Sequence, residues 1–314
     1  MIFDGHSDIL CALRRWREQG ETNIFQRRYQ RLFQQGMVTG GIFVLWGNPD
    51  EPATLDMQVN QQLQTLKTEL AVDNSALHML THPQQLELLS TNNAVSFLLG
   101  VEGLDAYPQK ESSIDWLYDQ GVRHVGLTWN HANGFASGVL AEGGLTALGR
   151  SAVKRIQQKN MLLDVAHLND SSLYAVLMLA DGPVLASHCN SRTLCNHRRN
   201  LTDDQLKAIA ATGGVIGVNS YPPFISTEAH QWDLQHLLDH VVHMAYLVGT
   251  EAVGFGLDLN YWDVSDDAVV LPELAAPNQA GRLVSLLKER GFSGAEVQQI
   301  CCDNLLRLVR QALA

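Results

Sequence analysis

Eight short apolar runs, each followed by an amphipathic stretch, most narrow the folds open to this sequence. They lie at 2–9, 41–46, 95–101, 124–128, 162–166, 184–187, 215–219 and 253–256. Several are continuously apolar rather than alternating, as strands are when a parallel sheet is covered on both faces. Helix-like segments fall between and after them, at 23–35, 55–72, 84–89, 113–120, 149–159, 170–179, 202–211, 233–248, 278–290, 294–301 and 303–313. Thr202-Asp-Asp-Gln205 reads as a capping box at the start of one of these. Strands alternating with helices make an α/β protein. The strand count, and the lack of a G-x-G-x-x-G after the first strand, favour a closed (β/α)8 TIM-type barrel over an open dinucleotide-binding sheet. At 314 residues the chain is expected to form one such barrel over 1–314.

The ends of these strands carry the chemistry. Strand one runs into D-G-H-S-D, which sets Asp4, His6 and Asp8 at alternate positions and so on one strand face. Three ionisable groups facing a core are costly unless something pairs with them. The third strand ends on Glu102, and Trp129, Asn130 and His131 follow the fourth. The fifth ends on His167, the sixth on His188 and the eighth on Asp258. A lone histidine after an apolar strand is usually an ordinary hydrogen-bonded residue. Such residues at six strand ends, which a barrel brings to one rim, point instead to a metal site. Histidines with carboxylates and no thiolate suit Zn²⁺, Mn²⁺, Fe²⁺ or Co²⁺ rather than Mg²⁺ or Ca²⁺. Five ligands exceed the needs of one tetrahedral ion and suit two ions sharing a carboxylate, for which Glu102 is the best candidate.

Composition closes off other functions. A net charge of −11 and a pI near 5.5 give no basic face for nucleic acid or an anionic membrane. No apolar run approaches the roughly 18 residues of a membrane span, and no basic-then-apolar leader precedes the first strand. The expected location is the cytoplasm. The cysteines (Cys11, Cys189, Cys195, Cys301 and Cys302) form no C-x-x-C pair and are expected to be reduced thiols, with Cys301 and Cys302 in packing roles.

The chain resembles the membrane (renal) dipeptidase family, M19, of binuclear zinc peptidases. The resemblance rests on DGHSDIL (4–10), GVEGLDAY (100–107), LLDVAH (162–167), ASHCNSRTLCNHRRN (186–200), AVGFGLD (252–258) and DNLLRL (303–308). It implies a distorted (β/α)8 barrel in which His6 and Asp8 bind one Zn²⁺, His167 and His188 the other, and Glu102 bridges them. It further implies that Asp258 is the acid/base, and that Arg199 grips the free carboxylate of a small dipeptide, with a D-residue allowed at its C-terminus. The nucleophile would be a metal-bridging hydroxide. The text departs from the family pattern after strand four. There Trp129 holds, ungapped, the place of a histidine that polarises the substrate carbonyl, and His131 or Asn130 are the alternatives for its role. It departs again after Asp258, where Leu259-Asn260-Tyr261 replaces F-D-G.

Two other functions compete. Related barrels hydrolyse other small amides or lactones, but typically begin H-x-H and often bridge their metals with a carboxylated lysine. A catalytically inactive binding homologue would not need every ligand and Asp258, all of which are present. His197 and Arg198 read as a solvated basic turn. Tyr221, within Tyr-Pro-Pro-Phe224, and Trp262 either line a substrate pocket or pack between loops. A homodimer is left open.

Overall fold

The computed structural model describes residues 1–90, 94–259 and 269–314, so Asn260, Tyr261 and Trp262 lie outside the described residues. The strands are β1 (Ile2–Ser7), β2 (Val38–Leu45), β3 (Leu77–Met79), β4 (Val95–Val101), β5 (His124–Gly126), β6 (Leu162–Asp164), β7 (Val184–Ala186), β8 (Val215–Val218) and β9 (Val253–Phe255). They join in the order β1-β2-β4-β5-β6-β7-β8-β9, with every ladder parallel. This is the nearly closed barrel expected from the alternation of apolar runs and helices. The added strand, β3, pairs with the start of β4 at Leu77↔Val95 and Met79↔Phe97. Three residues are too few to show a periodicity.

The seam between β9 and β1 is closed by a side chain. Asp4 Oδ1 accepts the backbone N–H of Leu257 at 2.7 Å and that of His6 at 3.3 Å. Nearby the barrel wall is crowded. A Cβ on Gly217 or Gly256 would stand 2.0 or 1.7 Å from the Ser187 carbonyl oxygen, so only glycine lets β8 and the end of β9 approach the end of β7 this closely.

Strand one is shorter than the sequence suggested. It ends at Ser7, and a helix begins at Ile9 and runs to Glu18. The residues Ile9, Leu10 and Leu13 are all buried, and at helical spacing they make one packed face. A short apolar run does not tell strand from helix by itself. Asp8 therefore sits at the helix N-cap rather than on the strand, yet it makes no capping hydrogen bond. The helix expected at 23–35 is divided into a π turn, Phe25–Tyr29, and an α segment, Gln30–Gln35. The segment at 84–89 is a 3-10 helix, Pro83–Ser90. The capping box on the helix Asp203–Ala211 forms as read, between Thr202 and Gln205.

The side of the barrel toward the strand starts is filled by apolar side chains. Phe3, Leu162 and Val215 meet Leu305, Leu308 and Val309 of the helix Asn304–Ala312. With that side plugged, the opposite rim, where the strands end, is where a polar pocket is built. No helix among the described residues is long and apolar enough to cross a membrane. All five cysteines are free and buried.

Candidate metal centre

The rim gathers the residues singled out at the strand ends. Glu102 follows β4, and its Oε1 lies 2.8 Å from His167 Nε2, 3.4 Å from His188 Nε2 and 3.5 Å from His6 Nε2. Asp8 Oδ2 is 3.6 Å from His6 Nε2. Ligand atoms of His6, Glu102 and His188 fall within 4.8 Å of one another, as do those of His6, Asp8 and Asp258. Glu102 is thus central to the histidines, and His6 belongs to both groups.

Two of these residues hold uncommon backbone geometry. His167 and Asp258 adopt positive φ, 69° and 53°. Few non-glycine residues do so, and the strain collects where a fold must aim a side chain. Here it turns the chain at two strand ends so that an imidazole and a carboxyl enter the cavity.

Hydrogen bonds fix how the rings present themselves. Asn130 Oδ1 lies 2.8 Å from His167 Nδ1, and Ser187 Oγ lies 2.7 Å from His188 Nδ1. With Nδ1–H directed outward on both rings, both Nε2 atoms are bare lone pairs, and they face each other at 2.9 Å. With the Glu102 oxygen beside them, these nitrogens need a proton or a cation among them. His6 Nδ1 and Nε2 and Asp8 Oδ1 are also buried without a hydrogen-bond partner. Buried polar atoms are rarely left so, and this donor set fits borderline-soft divalent ions.

The electrostatics agree. Burial pushes His167 and His188 well below the usual imidazole range, which keeps both neutral. Burial, reinforced by Asp8 and Asp258, pushes the Glu102 carboxyl well above its usual range. Asp258 is raised chiefly by burial. His6 goes the other way. Burial lowers it, but the Glu102 and Asp8 carboxylates outweigh that and hold it at about 10. The cluster is short of positive charge, and a proton on His6 supplies part of what metal ions would.

Around the cluster lies a cavity of about 460 Å³. Asp8, Glu102, Trp129, Asn130, His167, Arg199, Tyr221 and Asp258 all line it. Arg199 is buried, its Nη2 has no hydrogen-bond partner, and its guanidinium lies 5.4 Å from the Phe224 ring. A buried, unpaired guanidinium edge is a site for a carboxylate. Asn219 Nδ2 donates to Asp258 Oδ2 at 3.0 Å. His131 is placed apart from these groups. It is exposed and borders an adjoining cavity of about 190 Å³ behind Trp46 and Trp129. His197 is not the bare surface residue expected. Its ring packs 4.7 Å from Phe224, its Nδ1 accepts the Arg199 N–H at 3.2 Å, and it lines the cavity, as does the exposed Arg198. Trp46, Asn219, Ser187 and Asp164 had no sequence signal of their own, except that Asp164 stands three residues before His167 in LLDVAH.

A parallel barrel that gathers histidines and carboxylates at one rim has the architecture of a metal-dependent hydrolase. Residues 1–314 match the membrane dipeptidase family, peptidase family M19, and the chain belongs to that family. An uncharacterized dipeptidase of Schizosaccharomyces pombe is 27% identical in an alignment that covers 98% of this chain and 80% of its own. Among solved structures, dipeptidase AC, a metallopeptidase of family M19, is 22% identical with a TM-score of 0.86, over 99% of this chain and 98% of its own. A metallopeptidase from Rhodobacter sphaeroides, bound to a phosphinate mimic of the dipeptide L-Ala-D-Ala, is 21% identical with a TM-score of 0.86, over 99% of both chains. The two structures share this chain's fold.

Proposed function

We propose that the chain is a dipeptidase that hydrolyses the peptide bond of small dipeptides carrying a free C-terminal carboxylate. The observation that carries this reading is one cavity in which Glu102 and His167 stand with a buried arginine, Arg199, whose Nη2 has no hydrogen-bond partner. His6, Asp8, Glu102, His167 and His188 would hold two divalent ions, Zn²⁺ or in its place Mn²⁺, Fe²⁺ or Co²⁺, with Glu102 shared. When bound, such ions supply Lewis acidity and bring the pKa of water toward neutrality.

The remaining steps belong to the side chains. Arg199 takes the substrate carboxylate in a forked pair, which limits the peptide's length beyond the scissile bond. Asp258, held by Asn219 through Oδ2, keeps Oδ1 to take a proton from the attacking water and pass it to the departing amine nitrogen. Trp129, tilted 5.4 Å from Trp46, and Tyr221, edge-on 4.8 Å from Phe224, wall the cavity and exclude water from the reacting bond. The Rhodobacter sphaeroides protein's L-Ala-D-Ala mimic supports including L-D dipeptides among the substrates.

The test is a dipeptide panel with zinc-loaded protein, covering L-L and L-D pairs, amidated C-termini and a chelated control. Chelator-sensitive cleavage of free-carboxylate dipeptides, with amides spared, is the expected result. Protein with two bound metals and no cleavage of any dipeptide would overturn the assignment and direct the search to cyclic amides and lactones.

A further inference from the structure

Beneath the cluster, inside the barrel, lies a second set of buried polar groups that the proposed reaction does not use. His124 opens β5, Asp164 ends β6 and Ser187 follows β7, and all three are buried. Asp164 Oδ2 receives His124 Nε2–H at 2.9 Å and the Ser187 hydroxyl at 2.5 Å. Its Oδ1 receives the backbone N–H groups of Ala166 at 2.9 Å and Ser187 at 3.0 Å. Four donors on one carboxylate favour its ionised form. Although burial opposes it, His124 and Ser187 hold Asp164 below the usual carboxylate range.

The proton positions then follow in order. An ionised carboxylate only accepts, so the single Ser187 proton points to Asp164. The serine oxygen is left with lone pairs, and these face His188 Nδ1 at 2.7 Å. That nitrogen must carry the ring proton, and His188 Nε2 is left bare, 3.4 Å from Glu102 Oε1. His124 has one partnered nitrogen. Its Nδ1 is buried without a hydrogen-bond partner, and a Cβ at Gly100 would stand 2.5 Å from it. A proton there would be a buried donor with no acceptor, so the ring's hydrogen bond runs through Nε2 alone.

We propose that the buried chain His124–Asp164–Ser187 positions His188 as a metal ligand, setting through the serine hydroxyl the tautomer and ring orientation that turn Nε2 toward the ion. The proposal rests on the reading that His188 holds a metal. It distinguishes the two facing histidines: His167 is oriented by the neutral amide of Asn130, His188 by an ionised carboxylate acting through a hydroxyl. A group that fixes a ligand's tautomer acts on the ion that ligand holds. A group that merely supports the fold weakens every site together.

The experiment measures both metal dissociation constants by competition against a chromophoric chelator, using Zn²⁺ and then Co²⁺, whose visible spectrum reports the ligand field. In Ser187→Ala, one ion is expected to bind about 10–100-fold more weakly with an altered Co²⁺ spectrum, the range typical of a lost outer-shell partner. The other ion should keep its affinity within about threefold. Asp164→Asn, which keeps the shape and removes the charge, should weaken the same ion, and it decides the matter if Ser187→Ala does not fold. Both ions held as tightly as in the parent chain, or both weakened alike, would overturn the proposal. So would failure of both variants to fold, since the chain would then be a scaffold. A parent chain that binds no divalent ion would instead remove the metal reading itself, and this inference with it.

Discussion

Asp4 and Leu257 are joined across the seam of the barrel, Asp4 Oδ1 accepting the Leu257 N–H at 2.7 Å. The bond ties the start of β1 to the end of β9, and so holds His6 and Asp8 beside Asp258. The sequence places Asp4 on the same face as His6 and suggests that it supports the metal ligands. In the structure Asp4 Oδ1 accepts from the backbone, from His6 N–H and Leu257 N–H, rather than from a histidine ring.

This relationship predicts a pH signature. Burial, opposed by those two backbone bonds, raises the Asp4 carboxyl from 3.8 to about 7. The folded state therefore holds this proton more tightly than the unfolded state. Asp4's contribution to stability is fully present below pH 3.8 and is lost as pH rises through 7. Asp4→Asn keeps an acceptor oxygen and has no such dependence. In denaturant titrations of metal-free protein, its advantage over the parent should grow between pH 4 and 8, reaching on the order of 2–4 kcal/mol. Asp4→Ala at pH 5 should lose about 1–3 kcal/mol, from two orphaned N–H groups. A constant gap between Asp4→Asn and the parent across this range would show that Asp4 is not buried as described.

Asp258→Asn is the cleanest test of proton transfer. Position 258 has φ 53°, a conformation asparagine tolerates well, so the change removes the acid without straining the backbone. Both metals should remain by elemental analysis, KM should change little, and kcat should fall by about 10²–10⁴. Loss of a metal together with activity would make Asp258 a ligand instead.

Arg199→Ala should lower kcat/KM for free-carboxylate dipeptides by about 10–100-fold, the worth of a lost charged hydrogen bond. Dipeptide amides, already poor substrates, should be nearly unaffected. An equal loss on both substrate types in steady-state kinetics would mean that the guanidinium does not read the carboxylate.

The residues after strand four can be separated by substitution. Asn130 touches His167 at 2.8 Å, whereas His131 is exposed beside the adjoining cavity. Asn130→Ala should weaken metal binding or kcat by about 10–100-fold, and the loss in His131→Ala should be much the smaller. The reverse order would restore His131 as the group that polarises the carbonyl.

The barrel was legible because its strands are apolar enough to be covered on both faces and its ionisable residues fall at their ends. Each of those signals is local in sequence. Asp8 lines the cavity although its element was misread, because a strand end and a helix N-cap both place a side chain at the rim. Other features were hidden because they depend on packing between distant segments. His197 reads as part of a solvated turn until Phe224 is laid against it. Ser187 and Asp164 look like ordinary small polar residues until β6 and β7 stand side by side. The strand β3 is too short to carry a pattern, and it forms only because β4 offers an edge.

The helix Asn304–Ala312 seals the strand-start side of the barrel, and its Leu305 and Leu308 pack in one cluster with Phe3 from β1. Contacts that span nearly the whole chain are costly to close and form late. During synthesis, β1 has no floor to rest on until the helix Asn304–Ala312 has been made. His6 and Asp8 are made long before the helix that floors their strand, so ion capture should follow the docking of that helix rather than guide the first steps of folding.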